Sequence, residues 1–139
     1  MKNMIKRVIA VAMACVMVLG STVLAAERAS NYISYKGGGI TATGSGNMRI
    51  SFNVIATGMM DELGAYSVNI YNDDDVWQEV FYYTDPGCSD MMTTNDYSWD
   101  GEVYWEGVSG ERYYAVITFY AKNSSGDDYR SYTTSTVTV

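Results

Sequence analysis

The sequence has no histidine, one proline and two cysteines. Each shortage removes a class of chemistry. Without histidine, neither a Ser-His-Asp triad nor a Cys-His pair can form, because the base that activates the nucleophile is missing. Zinc needs clustered Cys or His ligands, and the sequence has no such cluster. Cys15 lies inside an apolar N-terminal run, which leaves Cys88 alone downstream, so no internal disulfide is expected there. Basic residues are also scarce, 9 against 16 acidic ones.

The N-terminal stretch has the three-part layout of a secretory signal peptide. Lys2, Lys6 and Arg7 give a positive start, Val8 to Leu19 is almost wholly apolar, and Val23-Leu24-Ala25-Ala26 offers small residues for cleavage after Ala25 or Ala26. The apolar run is shorter than the roughly 20 residues that a membrane-spanning helix needs. Ala12-Met13-Ala14 ahead of Cys15 is a poor lipoprotein signal, and the apolar run continues past it. The expected organisation is a signal peptide over 1–26 and one domain over 27–139. Three basic residues leave with the signal, so the rest carries 6 − 16 = −10. Such a chain repels phosphate backbones and anionic lipid, which argues against nucleic acid or membrane as partners. No Leu-Pro-x-Thr-Gly-type sorting signal or apolar C-terminal tail occurs, so a released, extracellular protein is expected.

What is plentiful points to strands. There are 13 Tyr and 3 Trp, with many Thr and Val, and these residues suit a pleated, half-buried surface. Met48, Ile50, Phe52, Val54 and Ala56 alternate with mostly polar neighbours, as in a strand with one face on a core. Tyr113, Ala115, Ile117, Phe119 and Ala121 form a second inward row, and Tyr66, Val68 and Ile70 a third. Tyr97, Trp99, Val103 and Trp105 face one way, with Asp100, Glu102 and Tyr104 facing the other. Further strands are expected over 31–36, 40–43, 76–84 and 129–139. Gly37-Gly38-Gly39 reads as a break, 58–64 as one helical turn between strands, and 88–96 as a long connection. Turns are expected at 44–47, 73–75, 85–87, 109–111 and 123–128, where Gly, Asn, Asp and Pro gather. The pattern predicts an all-β fold, an antiparallel β-sandwich of about seven or eight strands. A flattened barrel is the alternative.

Gly110 to Phe119 (Gly-Glu-Arg-Tyr-Tyr-Ala-Val-Ile-Thr-Phe) resembles the turn and sixth strand of fibronectin type III and immunoglobulin-like modules. The resemblance implies that Tyr113 is a tyrosine corner, its hydroxyl bonded to backbone upstream. The last strand, Ser135 to Val139, is similar too. The expected Trp on the second or third strand is not found, since Trp77, Trp99 and Trp105 all fall later. Over 30–139 the chain also resembles a group of small secreted proteins from Gram-positive anaerobic bacteria, a domain of unknown function. The carriers are Thr57 to Ala65, Tyr113 to Lys122 and Tyr132-Thr133-Thr134. That resemblance implies secretion and a compact β domain, and brings no catalytic residues.

Paired carboxylates could support glycoside hydrolysis, and Asp100, Glu102 and Glu106 beside Trp99 and Trp105 are the candidates. Asp100 and Glu102 sit on an outward strand face, which reads as solvated, so no enzyme is expected. Asp73-Asp74-Asp75 and Asp127-Asp128 are candidate calcium loops without EF-hand spacing. They read more simply as solvated turns, and no cofactor is expected. The outward aromatics Tyr71, Trp77, Tyr83, Tyr104, Tyr114 and Tyr120 are the candidate binding residues. Aromatic rings give large contact area at low entropy cost, suited to a glycan or a protein surface. The leading reading is a non-catalytic extracellular binding domain. The alternatives are a self-associating structural protein pairing through the 129–139 edge and, more weakly, a small carboxylate-dependent hydrolase.

Overall fold

The computed structural model describes residues 30–139. The signal peptide read over 1–26, with Cys15, lies outside the described residues. Seven strands follow in order: β1 (Ile33–Gly44), β2 (Asn47–Asn72), β3 (Trp77–Tyr82), β4 (Met92–Glu106), β5 (Arg112–Asn123), β6 (Gly126–Thr133) and β7 (Val137–Thr138). A single 3₁₀ turn, Ser89–Met91, precedes β4. Every ladder is antiparallel. The fold is therefore all-β, one sheet curled into a half-barrel.

β2 is the spine of that sheet. Its first half lies between β1 and the C-terminal part of β4. Its second half lies between β5 on one side and β3 and the start of β4 on the other. The β2–β4 register shifts between Ile55 and Met60, and there the sheet turns its corner, as strands do when they pass between packed layers. The helical turn expected over 58–64 is not formed. Met60 and Leu63 are buried, and Leu63 is paired to Thr93 of β4 and Ala121 of β5. A ladder on both sides satisfies more backbone groups there than an isolated helical turn would. Gly64 serves close approach: a Cβ there would stand 2.2 Å from the Met91 carbonyl oxygen.

The glycine triplet does not break β1 either. Gly38 faces inward opposite Phe52, and a Cβ there would meet Ile117 Cδ1 at 2.6 Å and the Ser51 carbonyl at 2.8 Å. The glycine lets β1 lie against β5. The hairpin after β1 does turn as expected, with Ser45 and Gly46 both at positive φ (54° and 83°), the pattern of a type I′ turn.

The core lies inside the curl. All five expected β2 positions from Met48 to Ala56 are buried, as are Val68, Ile70 and the β5 row from Tyr113 to Ala121. Phe52 and Phe119 meet edge to face at 6.2 Å, and each large side chain buried this way contributes about 1.5–3 kcal/mol. Tyr66 is a correction. It leaves the inner row because a bulge between Ala65 and Ser67 reverses the alternation. The expected 129–139 strand is two pieces, β6 and β7, both paired to β5. The Tyr113 hydroxyl accepts a hydrogen bond from the Val108 amide at 2.9 Å, and its ring packs edge-on against Trp105.

β1 and β6 face each other across a seam closed by side chains. Ser30 Oγ donates to Asp128, and Lys36 Nζ donates to the Ser131 carbonyl at 2.8 Å. Asp128 also pairs with Arg130 at 3.2 Å.

Two tests follow from this packing, both read by urea denaturation. Gly38→Ala should destabilise the fold by about 1–3 kcal/mol through overpacking, while Gly39→Ala, whose Cβ would meet only Ser51 Oγ at 3.8 Å, should stay within about 0.5 kcal/mol. Tyr113→Phe should cost about 1 kcal/mol, the net worth of one hydrogen bond, with no change in circular dichroism.

Candidate functional site

Five of the six aromatic candidates share one surface, the outer face of β3, the second half of β2, β5 and β6. Strand registry explains why. Trp77 is opposite Tyr71, and Tyr71 is opposite Tyr114, so three rings form a row across three strands. Tyr71 and Tyr114 stack at 5.4 Å with their planes 14° apart.

A second group lies at the other end of the same face. The Tyr66 ring contacts Tyr83 at 5.5 Å, Tyr129 at 5.4 Å, and Tyr82 and Tyr120 at 6.2 Å each. Tyr120 and Tyr129 are 4.7 Å apart. Tyr114 and Tyr120 are six residues apart on β5, so the groups are separated by about 20 Å at the usual strand rise. Asn69, Val80, Val116 and Thr133 occupy one row between them, and Ser67, Thr118 and Ser131 another. On this face Trp77, Tyr82 and Tyr129 are the most open rings, at 52%, 42% and 48% exposure, whereas Tyr120 is buried.

Tyr104 is the exception among the six. It is opposite Arg49, on the outer face of the other limb of the sheet, and its hydroxyl donates to Glu102 at 2.7 Å. Tyr66, Tyr82 and Tyr129 belong to the face and were not singled out from the sequence. Tyr129 was within reach: a two-residue turn closing on Asn123 and Gly126 sets it opposite Tyr120. Tyr66 was not, because the bulge leaves no mark in the residue pattern.

Carboxylates border both ring groups. The Tyr114 hydroxyl donates to Asp75 at 2.7 Å, and the Tyr120 hydroxyl to Asp127 at 3.3 Å. Burial first, then the charge of Asp127, pushes the Tyr120 phenol up to about 12. The bond to Asp75 raises Tyr114, and burial raises Tyr129. All three phenols therefore stay neutral donors at physiological pH.

The other candidates are placed as follows. Asp73 pairs with Arg112 at 3.3 Å, and the two acidic loops lie at opposite ends of β5. Among the described residues, no three Asp, Glu or Cys side chains converge as metal ligands would. Asp100 and Glu102 border a wide, open trough of about 870 Å³ with Gly39, Ser51, Asn53 and Trp99. Glu102 is held by Arg49 at 3.8 Å and by Tyr104. Cys88 is a half-buried free thiol whose pKa is raised by burial and by Asp85, so it is a weak nucleophile at neutral pH.

No family model, curated protein or solved structure matches this chain.

The phenol environment predicts an alkaline transition. A phenol whose pKa is higher in the folded state stabilises the fold fully below pH 10, and that contribution is lost as pH rises through about 12. Thermal stability should fall across that window, with the Tyr120 phenol seen by absorbance at 295 nm to ionise at about pH 12. Asp127→Asn should bring its ionisation to lower pH.

Proposed function

We propose that this chain is a secreted, non-catalytic binding domain that holds an extracellular glycan or protein on its aromatic sheet face. One observation carries the reading: Trp77, Tyr71 and Tyr114 at one end, and Tyr66, Tyr82, Tyr83, Tyr120 and Tyr129 at the other, share a single outer surface. Scattered exposed aromatics need no explanation, but two ring clusters on one face, with Trp77, Tyr82 and Tyr129 open to solvent, favour an interaction surface. Secretion rests on the charged start, apolar run and small-residue end of the first 26 residues. The non-catalytic reading rests on Glu102 being engaged by Arg49 and Tyr104, beside an open trough.

The finer fold reading is an immunoglobulin or fibronectin type III-like sandwich, in which the first, second and fifth strands of the module form one sheet. Supporting it, β1, the first half of β2 and the end of β4 form one limb, while β3, the second half of β2, β5 and β6 form the other. The Tyr113 corner adds to it. The kinship with small secreted proteins of Gram-positive anaerobes belongs to the same reading, carried by Thr57 to Ala65 and Tyr113 to Lys122.

A screen against polysaccharides and extracellular proteins, followed by variants, tests the reading. Trp77→Ala and Tyr129→Ala should each weaken a hit about tenfold, a typical loss for a central aromatic contact, while Tyr104→Ala should leave it unchanged. Hits insensitive to the face variants, or no hits, would remove it.

A further inference from the structure

We infer that the partner this face selects is cationic: an extended polypeptide segment with Lys or Arg side chains about six residues apart. The inference rests on the aromatic face being the contact surface, and it names the chemistry that surface favours.

A ring face is negative and attracts a cation within about 6 Å of its centre. Here each ring group has a carboxylate beside it. Tyr114 donates to Asp75 and Tyr120 to Asp127, and a phenol that donates to an anion becomes richer in electron density. A cation over the exposed Tyr129 ring meets both that ring and the nearby Asp127 carboxylate, and one over Tyr114 meets Asp75. Glu62 adds negative charge near Tyr120 and Tyr129. Basic residues also border the face: Arg112 pairs with Asp73, Lys122 is opposite Asp127 and Glu62, Arg130 pairs with Asp128, and Lys36 donates to the Ser131 carbonyl. The chain beyond residue 26 carries a net −10, which steers cations in and anions away.

The spacing sets the ligand's form. Two anchors about 20 Å apart match six residues of extended chain. The strip between them sets Asn69, Thr118, Ser131 and Thr133 beside Val80 and Val116, a mix of hydrogen-bonding and aliphatic side chains that suits an extended peptide. A neutral sugar polymer could stack on the rings but would gain nothing from the carboxylates.

The test titrates the purified protein with synthetic peptides, followed by Trp fluorescence and calorimetry. One peptide carries two Arg six positions apart in a Gly-Ser background, one carries them two apart, and one has Glu in place of Arg. The expected result is salt-sensitive binding of the first, about fivefold tighter than the second, with no binding of the third. Trp77→Ala and Tyr129→Ala, which leave net charge unchanged, should each weaken it about fivefold. Asp75→Asn and Asp127→Asn, which keep every ring, should weaken it as well. Binding indifferent to the ring variants would mean diffuse charge attraction and overturn the inference. No binding of the Arg peptides would also overturn it. In that case a neutral oligosaccharide that is sensitive to Trp77→Ala leaves the binding-face reading standing, and silence from every probe removes both.

Discussion

The whole arrangement depends on one strand running unbroken around a corner. β2 spans 26 residues and serves as pairing partner to β1, β3, β4 and β5. Because both of its edges are occupied along most of its length, a change of direction near Ile55–Met60 carries its neighbours with it. The curl places Phe52 of the first half against Phe119 of β5, which shuts the core. Gly38 and Gly64 are the points where this closure leaves no room for a side chain.

The same curl determines what the outside offers. Alternation sends Tyr113, Ala115, Ile117, Phe119 and Ala121 of β5 inward and Tyr114, Val116, Thr118 and Tyr120 outward. The bulge at Ala65–Ser67 then adds Tyr66 to the outer set. Its ring sits among four other tyrosines, so an irregularity in the ladder becomes the centre of the larger aromatic group. Cross-strand aromatic pairs stabilise a sheet, and this face both braces the limb and presents it.

Much of the fold was legible because strand alternation is a strong signal where one face meets a core. The rows Met48–Ala56 and Tyr113–Ala121 could be read residue by residue, and all are buried. What could not be read was continuity. Gly37-Gly38-Gly39 and 58–64 look like interruptions, since glycine costs a strand backbone entropy. Both are strand, and neighbouring strands at close range need the space that Gly38 and Gly64 leave. The site was legible in part for a related reason. Tyr71, Trp77 and Tyr114 fall into one row once registry is known, whereas Tyr104 shares their outward parity but belongs to the other limb. Parity tells inside from outside; only pairing tells which outside.

The seam between β1 and β6 has a consequence for motion. Ser30, just ahead of β1, to Asp128 and Lys36 to the Ser131 carbonyl tie this edge to β6 through side chains rather than a ladder. Parting them breaks no strand pairing but uncovers the core beneath β1, where Ile33 and Ile40 are buried and Gly38 lies against Ile117, so opening along this line costs apolar burial as well as polar contacts. The flank of the limb that carries the aromatic face is thus a joint without a ladder, held shut by the core beneath it.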